Sequence, residues 1–266
     1  MKNMENKIVL APDGIHSIEQ IGPATYRIDE KGICNAYLLI GKDKALLIDS
    51  GDGVGNVREA VETLTKLPII VALTHRHCDH AGGRNWFPSY SFHKNDNHFI
   101  YALESSEFAT KKLAGMSGKS VTITKKPFHS KKVLFDDTTV FDLGERTIKV
   151  MNIPGHTKGS VVFIDEKEKL MFTGDEVNYW LWLQLPGCTN VRTWLPNAKK
   201  IRALMDTYAA YCGHNNGLLT KEMVDELIKN GEEIVSGKKG QKLGHGVLTY
   251  PDNDWQNHSV IWYKKV

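Results

Sequence analysis

The chain has 266 residues, of which 41% are hydrophobic and 24% charged, enough apolar material for a full core without disulfide staples. The net charge is +3, and the lysine doublets (Lys111-Lys112, Lys125-Lys126, Lys131-Lys132, Lys199-Lys200, Lys238-Lys239) are scattered along the chain. This excludes a disordered tail protein, a collagen-like chain and a small cysteine-stapled scaffold, and the charge is too balanced to predict nucleic-acid binding by itself.

The opening residues show no long apolar run, and no stretch reaches the roughly 18 apolar residues of a membrane span. With four cysteines and no CxxC pair, the expectation is a cytoplasmic protein with reduced thiols and no membrane. Thr25–Asp29, Asn35–Ile40 and Lys44–Asp49 read as strands, and Val54–Lys66 as a helix after a glycine-rich turn, ended by Pro68. Ile69–Leu73 reads as a buried strand. Phe99–Met116 suits a helix. Lys132–Phe135, Thr139–Leu143 and Arg146–Asn152 suggest antiparallel strands. Ser160–Asp165 and Leu170–Thr173 read as a hairpin turning at Glu166–Lys169. Asn197–Tyr208 and Lys221–Ser236 read as helices, the second capped by Thr220, and His258–Tyr263 as a last strand. This order fits sheets covered by helices on their outer faces, an α+β arrangement in one domain over 1–266 with a helical and aromatic insertion around 177–205.

Eleven histidines stand out in this composition. The strand Ile69–Leu73 runs into Thr74-His75-Arg76-His77-Cys78-Asp79-His80, which places three histidines and an aspartate within six residues. Burying so many unpaired polar groups is costly, and imidazoles with a carboxylate at this spacing are divalent-metal donors. His75 and His77 project to one side of an extended segment. Further donors follow other strands: His156 in Pro154-Gly155-His156-Thr157, Asp175 after Phe172-Thr173-Gly174, and His214 after Cys212-Gly213. Each has a glycine before it, which permits close backbone approach.

Together with Leu47-Ile48-Asp49-Ser50-Gly51, these motifs resemble, in order, those of the metallo-β-lactamase superfamily, specifically its glyoxalase II-like and lactonase-like branch. The resemblance covers about residues 20–220 and departs at Lys158, where proline is common, and at Cys78, where a bulkier residue is common. It implies an αββα sandwich of two mixed sheets flanked by helices. It also implies one metal on His75, His77 and His156 and a second on Asp79, His80 and His214, with Asp175 bridging. Asp49 would orient the ligand loop from beneath. The expected cofactors are two divalent ions, zinc first, with iron or manganese as alternatives.

The expected function is hydrolysis of a small, partly hydrophobic ester, thioester or lactone by a hydroxide held between the two metals. Asp79 and Asp175 are the catalytic carboxylates. The alternatives are a mononuclear iron enzyme resembling persulfide dioxygenases, and a phosphodiesterase or nuclease of the same superfamily. Tyr179, Trp180, Trp182 and Trp86 form a candidate substrate wall, and that apolar segment also suits contact between two copies of the chain. The partner is a small-molecule substrate, with nucleic acid disfavoured. His16, His93, His98, His129, His245 and His258 are expected on the surface or in loops.

Overall fold

Three mixed sheets organise the chain in the computed structural model, which describes residues 8–98, 127–254, 256–264 and 266. The first runs in chain order: β1 (Ile8–Leu10), β2 (His16–Gly22), β3 (Thr25–Glu30), β4 (Asn35–Ile40), β5 (Ala45–Ile48), β6 (Ile69–Ala72), β7 (Ser89–His93) and β8 (Lys131–Phe135). Pairing is antiparallel up to β5 and parallel from β5 to β8.

The second sheet comprises β9 (Val140–Asp142), β10 (Thr147–Asn152), β11 (Val161–Asp165), β12 (Leu170–Gly174) and β14 (Ala209–Cys212), in the order β14-β12-β11-β10-β9. Only β12 and β14 pair in parallel. The third sheet, beyond the two expected, joins β13 (Trp180–Leu183), β17 (Val260–Tyr263), β16 (Val247–Tyr250) and β15 (Gln241–Gly244).

The burial pattern gives the layers. Tyr37, Leu39, Leu46 and Ile48 of the first sheet meet Ile148, Val161, Phe163 and Phe172 of the second in one cluster. Each such side chain contributes about 2 kcal/mol through burial. The other face of the first sheet packs on α1 (Val57–Leu64) through Val57, Ala60 and Val61. The outer face of the second sheet packs on α3 (Val191–Leu204), α4 (Lys221–Val235) and the third sheet. A helix layer thus lies on each outer face, the expected αββα order.

Arg146 ties the two large sheets together. Its guanidinium donates to Asp165 in β11 (Nε, 2.8 Å) and reaches across to the Ala24 and Ile40 carbonyls at 3.0 and 3.1 Å.

Several boundaries differ from expectation. The helix α1 starts at Val57, because Asn56 caps it by accepting from the Glu59 amide. The helix α3 begins before Pro196, since Asn190 caps it by accepting from the Thr193 amide, and the carbonyl to which Pro196 cannot donate belongs to the exposed Arg192. β8 is not antiparallel to β9. It pairs in parallel with β7 in the first sheet, and a turn at Asp136–Thr139 hands the chain across to the second, while Phe135 packs between the sheets.

The hairpin β11–β12 and the Thr220 cap of α4 form as read. The helix expected over Phe99–Met116 lies outside the described residues. Among the described residues, no helix is long and apolar enough to cross a membrane.

Candidate metal centre

Every donor lies just beyond a strand or in the loop between two. Asp49 follows β5, His75 to His80 follow β6 and lead into the short helix α2 (Cys78–Ala81), and His156 lies between β10 and β11. Asp175 follows β12 and His214 follows β14. Two parallel pairs, β5–β6 and β12–β14, therefore release their carboxyl ends at the same edge, one pair from each large sheet. Rigid strands hold the loops that carry the chemistry.

These residues fall into two groups of convergent donors: His75, His77 and His156, all buried, and Asp79, His80, Asp175 and His214, of which only His80 is buried. Within each group the donor atoms lie within 4.8 Å of one another. His75 lies between the groups, its ring 4.8 Å from His77, 4.7 Å from His156 and 4.2 Å from His80. Asp175 reaches both groups. Its Oδ1 is 3.3 Å from His80 Nε2, and its Oδ2 is 2.9 Å from His214 Nε2 and 3.8 Å from His156 Nε2. Asp79 Oδ2 lies 3.4 Å from His214 Nε2.

The back of each ring is held, which fixes the nitrogen facing inward. His156 Nδ1 donates to the Trp182 carbonyl at 2.7 Å, and His214 Nδ1 to the Ile33 carbonyl at 2.7 Å. His80 Nδ1 meets Asp49 Oδ2 at 2.9 Å. His75 Nδ1 meets the Thr74 hydroxyl at 3.1 Å, and that hydroxyl donates to Asp49. All four present Nε2. His77 is reversed: Nε2 faces the Pro186 carbonyl at 3.3 Å, and Nδ1 faces His156 Nε2 at 2.8 Å.

The charge pattern separates the groups. Burial, reinforced by neighbouring His80, His156 and His77, drives His75 well below the usual histidine range. Burial and His77 push His156 down to about 3. These two rings are therefore neutral, with lone pairs available. In the second group burial works the other way from the charges. Against it, Asp175 and Asp79 raise His80 well above its ordinary value, and Asp175 raises His214 to about 9. Burial likewise opposes ionisation of Asp175, but His214 and His80 hold it well below the usual carboxylate range.

The residues fit divalent cations. His75 Nε2 is buried and meets no hydrogen-bond partner, and neither do His80 Nε2 and Asp175 Oδ1, although they face each other. Imidazoles converging with two carboxylates form a donor set for such ions.

Three acidic residues support these loops. The carboxylate of Asp49 accepts from Thr74 N (2.7 Å) and Oγ1 (2.8 Å) as well as facing His80. The other two were not singled out from the sequence. Glu176 is buried and accepts the His156 amide at 2.8 Å, and burial pushes its carboxyl well above the usual range. Asp96 is buried and accepts from Arg76 N (3.2 Å), Thr157 Oγ1 (2.9 Å) and Gly159 N (2.7 Å), so it clamps the loop of His75 and His77 to the loop of His156. The only sequence signal for Glu176 was its place beside Asp175. The glycines beside the donors have a steric reason. A Cβ on Gly213 would stand 2.5 Å from Asp175 Oδ1, and one on Gly155 would strike the Glu176 carboxylate.

The expected substrate wall divides. Trp180 and Trp182 share the face of β13 opposite the buried Leu181 and Leu183, joined by Trp262 of β17. Trp86 is not part of it: it is core beneath α1, with its indole N–H donating to the Gly55 carbonyl. Tyr179 packs on the helix-side core and lines a separate cleft with Glu222, Glu226 and Ser259. Two histidines expected at the surface are buried. His16 Nδ1 pairs with Asp13 at 2.6 Å, and His93 Nδ1 accepts from the Asn95 amide. His98, His129 and His245 are exposed, and His258 is half-buried beside Asp252.

A histidine-and-carboxylate centre at one edge of an αββα sandwich defines a class. The family model of the metallo-beta-lactamase superfamily matches residues 29–214, and the chain belongs to that superfamily. It is 29% identical over 188 residues to the human acyl-coenzyme A thioesterase MBLAC2, covering 62% of this chain and 64% of that protein. The chicken protein of the same name is 26% identical over 191 residues, covering 65% of this chain and 68% of its own. The chain thus spans just under two thirds of the human relative. The solved metallo-beta-lactamase family protein TTHA1429 from Thermus thermophilus shares the fold, with a TM-score of 0.62, 20% identity and 82% of each chain covered.

Proposed function

We propose that the protein is a dinuclear metal-dependent hydrolase that cleaves a thioester, with simple esters and lactones as chemically related substrates. The observation that carries this is Asp175, whose Oδ2 lies 3.8 Å from His156 Nε2 of the first group and 2.9 Å from His214 Nε2 of the second. The similarity to acyl-coenzyme A thioesterases supports thioester over other carbonyl substrates.

The three histidines would hold one cation, and Asp79, His80 and His214 the other, with Asp175 shared. Zinc is the proposed metal, since imidazole and carboxylate donors suit it. When bound, such ions supply Lewis-acid polarisation of a carbonyl and a water acidic enough to ionise near neutral pH.

The protein's own part is positional. Hydrogen bonds behind the rings fix which nitrogen each histidine presents, so no reorganisation accompanies turnover. Asp79 is half-buried and 3.4 Å from His214, which suits it to orient the attacking water and take up its proton. The exposed side of the site is formed by Asp79, Asp175 and His214, so substrate approaches over the second group.

The test is metal analysis of protein purified without added metal, with thioester, ester, lactone and phosphodiester substrates assayed on the same sample. Two divalent ions per chain, thioester turnover and its loss on chelation are expected. A single iron per chain, or turnover that survives complete chelation, overturns the proposal.

A further inference from the structure

The indole cluster on the third sheet is not needed to hold the fold's main core. Leu181 and Leu183 of β13 and Ile261 and Tyr263 of β17 already face the helices, buried. Trp180, Trp182 and Trp262 lie on the opposite face and stay half-buried. Trp182 and Trp262 are register partners, parallel within 5° at a centroid distance of 5.6 Å. Trp180 crosses both nearly at right angles, 4.9 and 4.7 Å away. The result is a rigid apolar surface whose rings support one another.

The cluster is continuous with the metal centre through the backbone. Trp182 itself supplies the carbonyl that holds His156, and Pro186, three residues beyond the end of β13, supplies the one that faces His77. The residues in register beside Trp262 along the sheet, Thr249 and then Gln241, are uncharged. Neither of these two neighbours offers an anionic group a charged partner. A planar ring inserted between Trp182 and Trp262 would need about 7 Å between them, more than they leave. A flexible hydrocarbon chain lying across the indoles meets neither obstacle.

The geometry points to this surface as the subsite for the apolar acyl group of the substrate, with Trp262 as the residue that sets acyl-chain preference. This rests on the carbonyl-hydrolase reading above and adds the substrate class. The acyl carbon sits at the metal centre, and the chain runs out along β13 towards β17. Among the described residues, the ring contacts and hydrogen bond of Trp262 are to Trp180, Trp182 and Asn253 and not to the metal donors, which suits it to act on selectivity.

The experiment compares kcat/KM for acetyl-, butyryl-, octanoyl- and dodecanoyl-coenzyme A in the wild type, Trp262→Ala and Trp262→Phe. The wild type gains about two- to fourfold per methylene from butyryl to octanoyl. Trp262→Ala loses about tenfold on octanoyl-coenzyme A and less than about twofold on acetyl-coenzyme A, and Trp262→Phe recovers most of the slope. An equal loss at every length, or an unchanged slope, overturns the subsite.

Binding of non-hydrolysable S-alkyl coenzyme A thioethers separates the two readings. If no thioester turns over but thioether affinity climbs with chain length in the wild type and not in Trp262→Ala, the hydrolase reading fails and the subsite stands. If thioesters turn over but thioether affinity is independent of length, the subsite fails and the hydrolase stands.

Discussion

Asp49 holds His80 across the site: its Oδ2 lies 2.9 Å from His80 Nδ1 and also receives the Thr74 hydroxyl that backs His75. One carboxylate therefore sets the inward nitrogen of a ring in each donor group. Asp49 sits at φ 61°, a left-handed conformation that asparagine also accepts.

Asp49→Asn thus leaves the backbone intact and replaces one acceptor oxygen with an NH₂ donor. If that donor faces His80, Nδ1 must accept and the proton moves to Nε2, which removes a lone pair from the second group. The expected outcome is a fall in bound metal from about two ions per chain towards one, measured by elemental analysis, with the thermal midpoint of the chelated protein changed by less than about 3 °C.

Asp96→Ala deprives three donors, the Arg76 and Gly159 amides and the Thr157 hydroxyl, of a buried acceptor. A cost of about 3 kcal/mol follows, because each stranded donor retains its desolvation penalty. Thermal unfolding of the metal-free variant should fall by about 8 °C relative to metal-free wild type. No change there would mean that Asp96 does not clamp these loops.

Glu176 separates support from ligation. Glu176→Gln keeps an acceptor for the His156 amide, while Glu176→Ala does not. Metal affinity measured by competition with a chromophoric chelator should weaken about tenfold in Glu176→Ala and less than about threefold in Glu176→Gln. Equal loss in both would assign the effect to the carboxyl group itself rather than to the acceptor it offers the His156 amide.

Away from the centre, Asp13 and buried His16 form a 2.6 Å pair beside the loop that leads to α1. Burial opposes ionisation of Asp13, but the His16 hydrogen bond and charge hold its carboxyl at about 2, against 3.8 for an unperturbed one. A depressed carboxylate contributes stability above its unfolded value and loses it as pH falls through the folded one. Here the window runs from about pH 4 to pH 2, and after discounting for solvent at this half-buried group the contribution is about 1 kcal/mol. Asp13→Asn should flatten the acid limb of the unfolding curve over that window and leave its alkaline limb unchanged.

The seven convergent residues were legible because their chemistry is written as residue type beside strand ends: three histidines within six positions, and glycine before His156, Asp175 and His214. Asp49 was legible through its place at the end of β5. Asp96 was not, because its partners are mainly backbone amides whose approach depends on tertiary packing. The same limit hid the true partner of β8, whose residues are nearly all exposed and so carry no sheet-specific pattern. Trp86 and Tyr179 illustrate a further limit. Sequence proximity to a donor does not reveal which face a side chain takes, and Trp86 turns into the core while Tyr179 turns to the helix side. Alternation within Trp180–Leu183 did fix a face, since its period of two leaves one choice once the leucines are buried.

The carbonyls of Trp182 and Pro186 have a consequence for redesign. They brace two of the three histidines of the buried group, and main-chain oxygens are present whatever side chain a position carries. Side-chain libraries at Trp180 and Trp182 can therefore explore new specificities while metal retention is inherited from the backbone. Transplanting this segment from a relative, or changing its length, would shift both braces at once and make altered selectivity inseparable from loss of the ions.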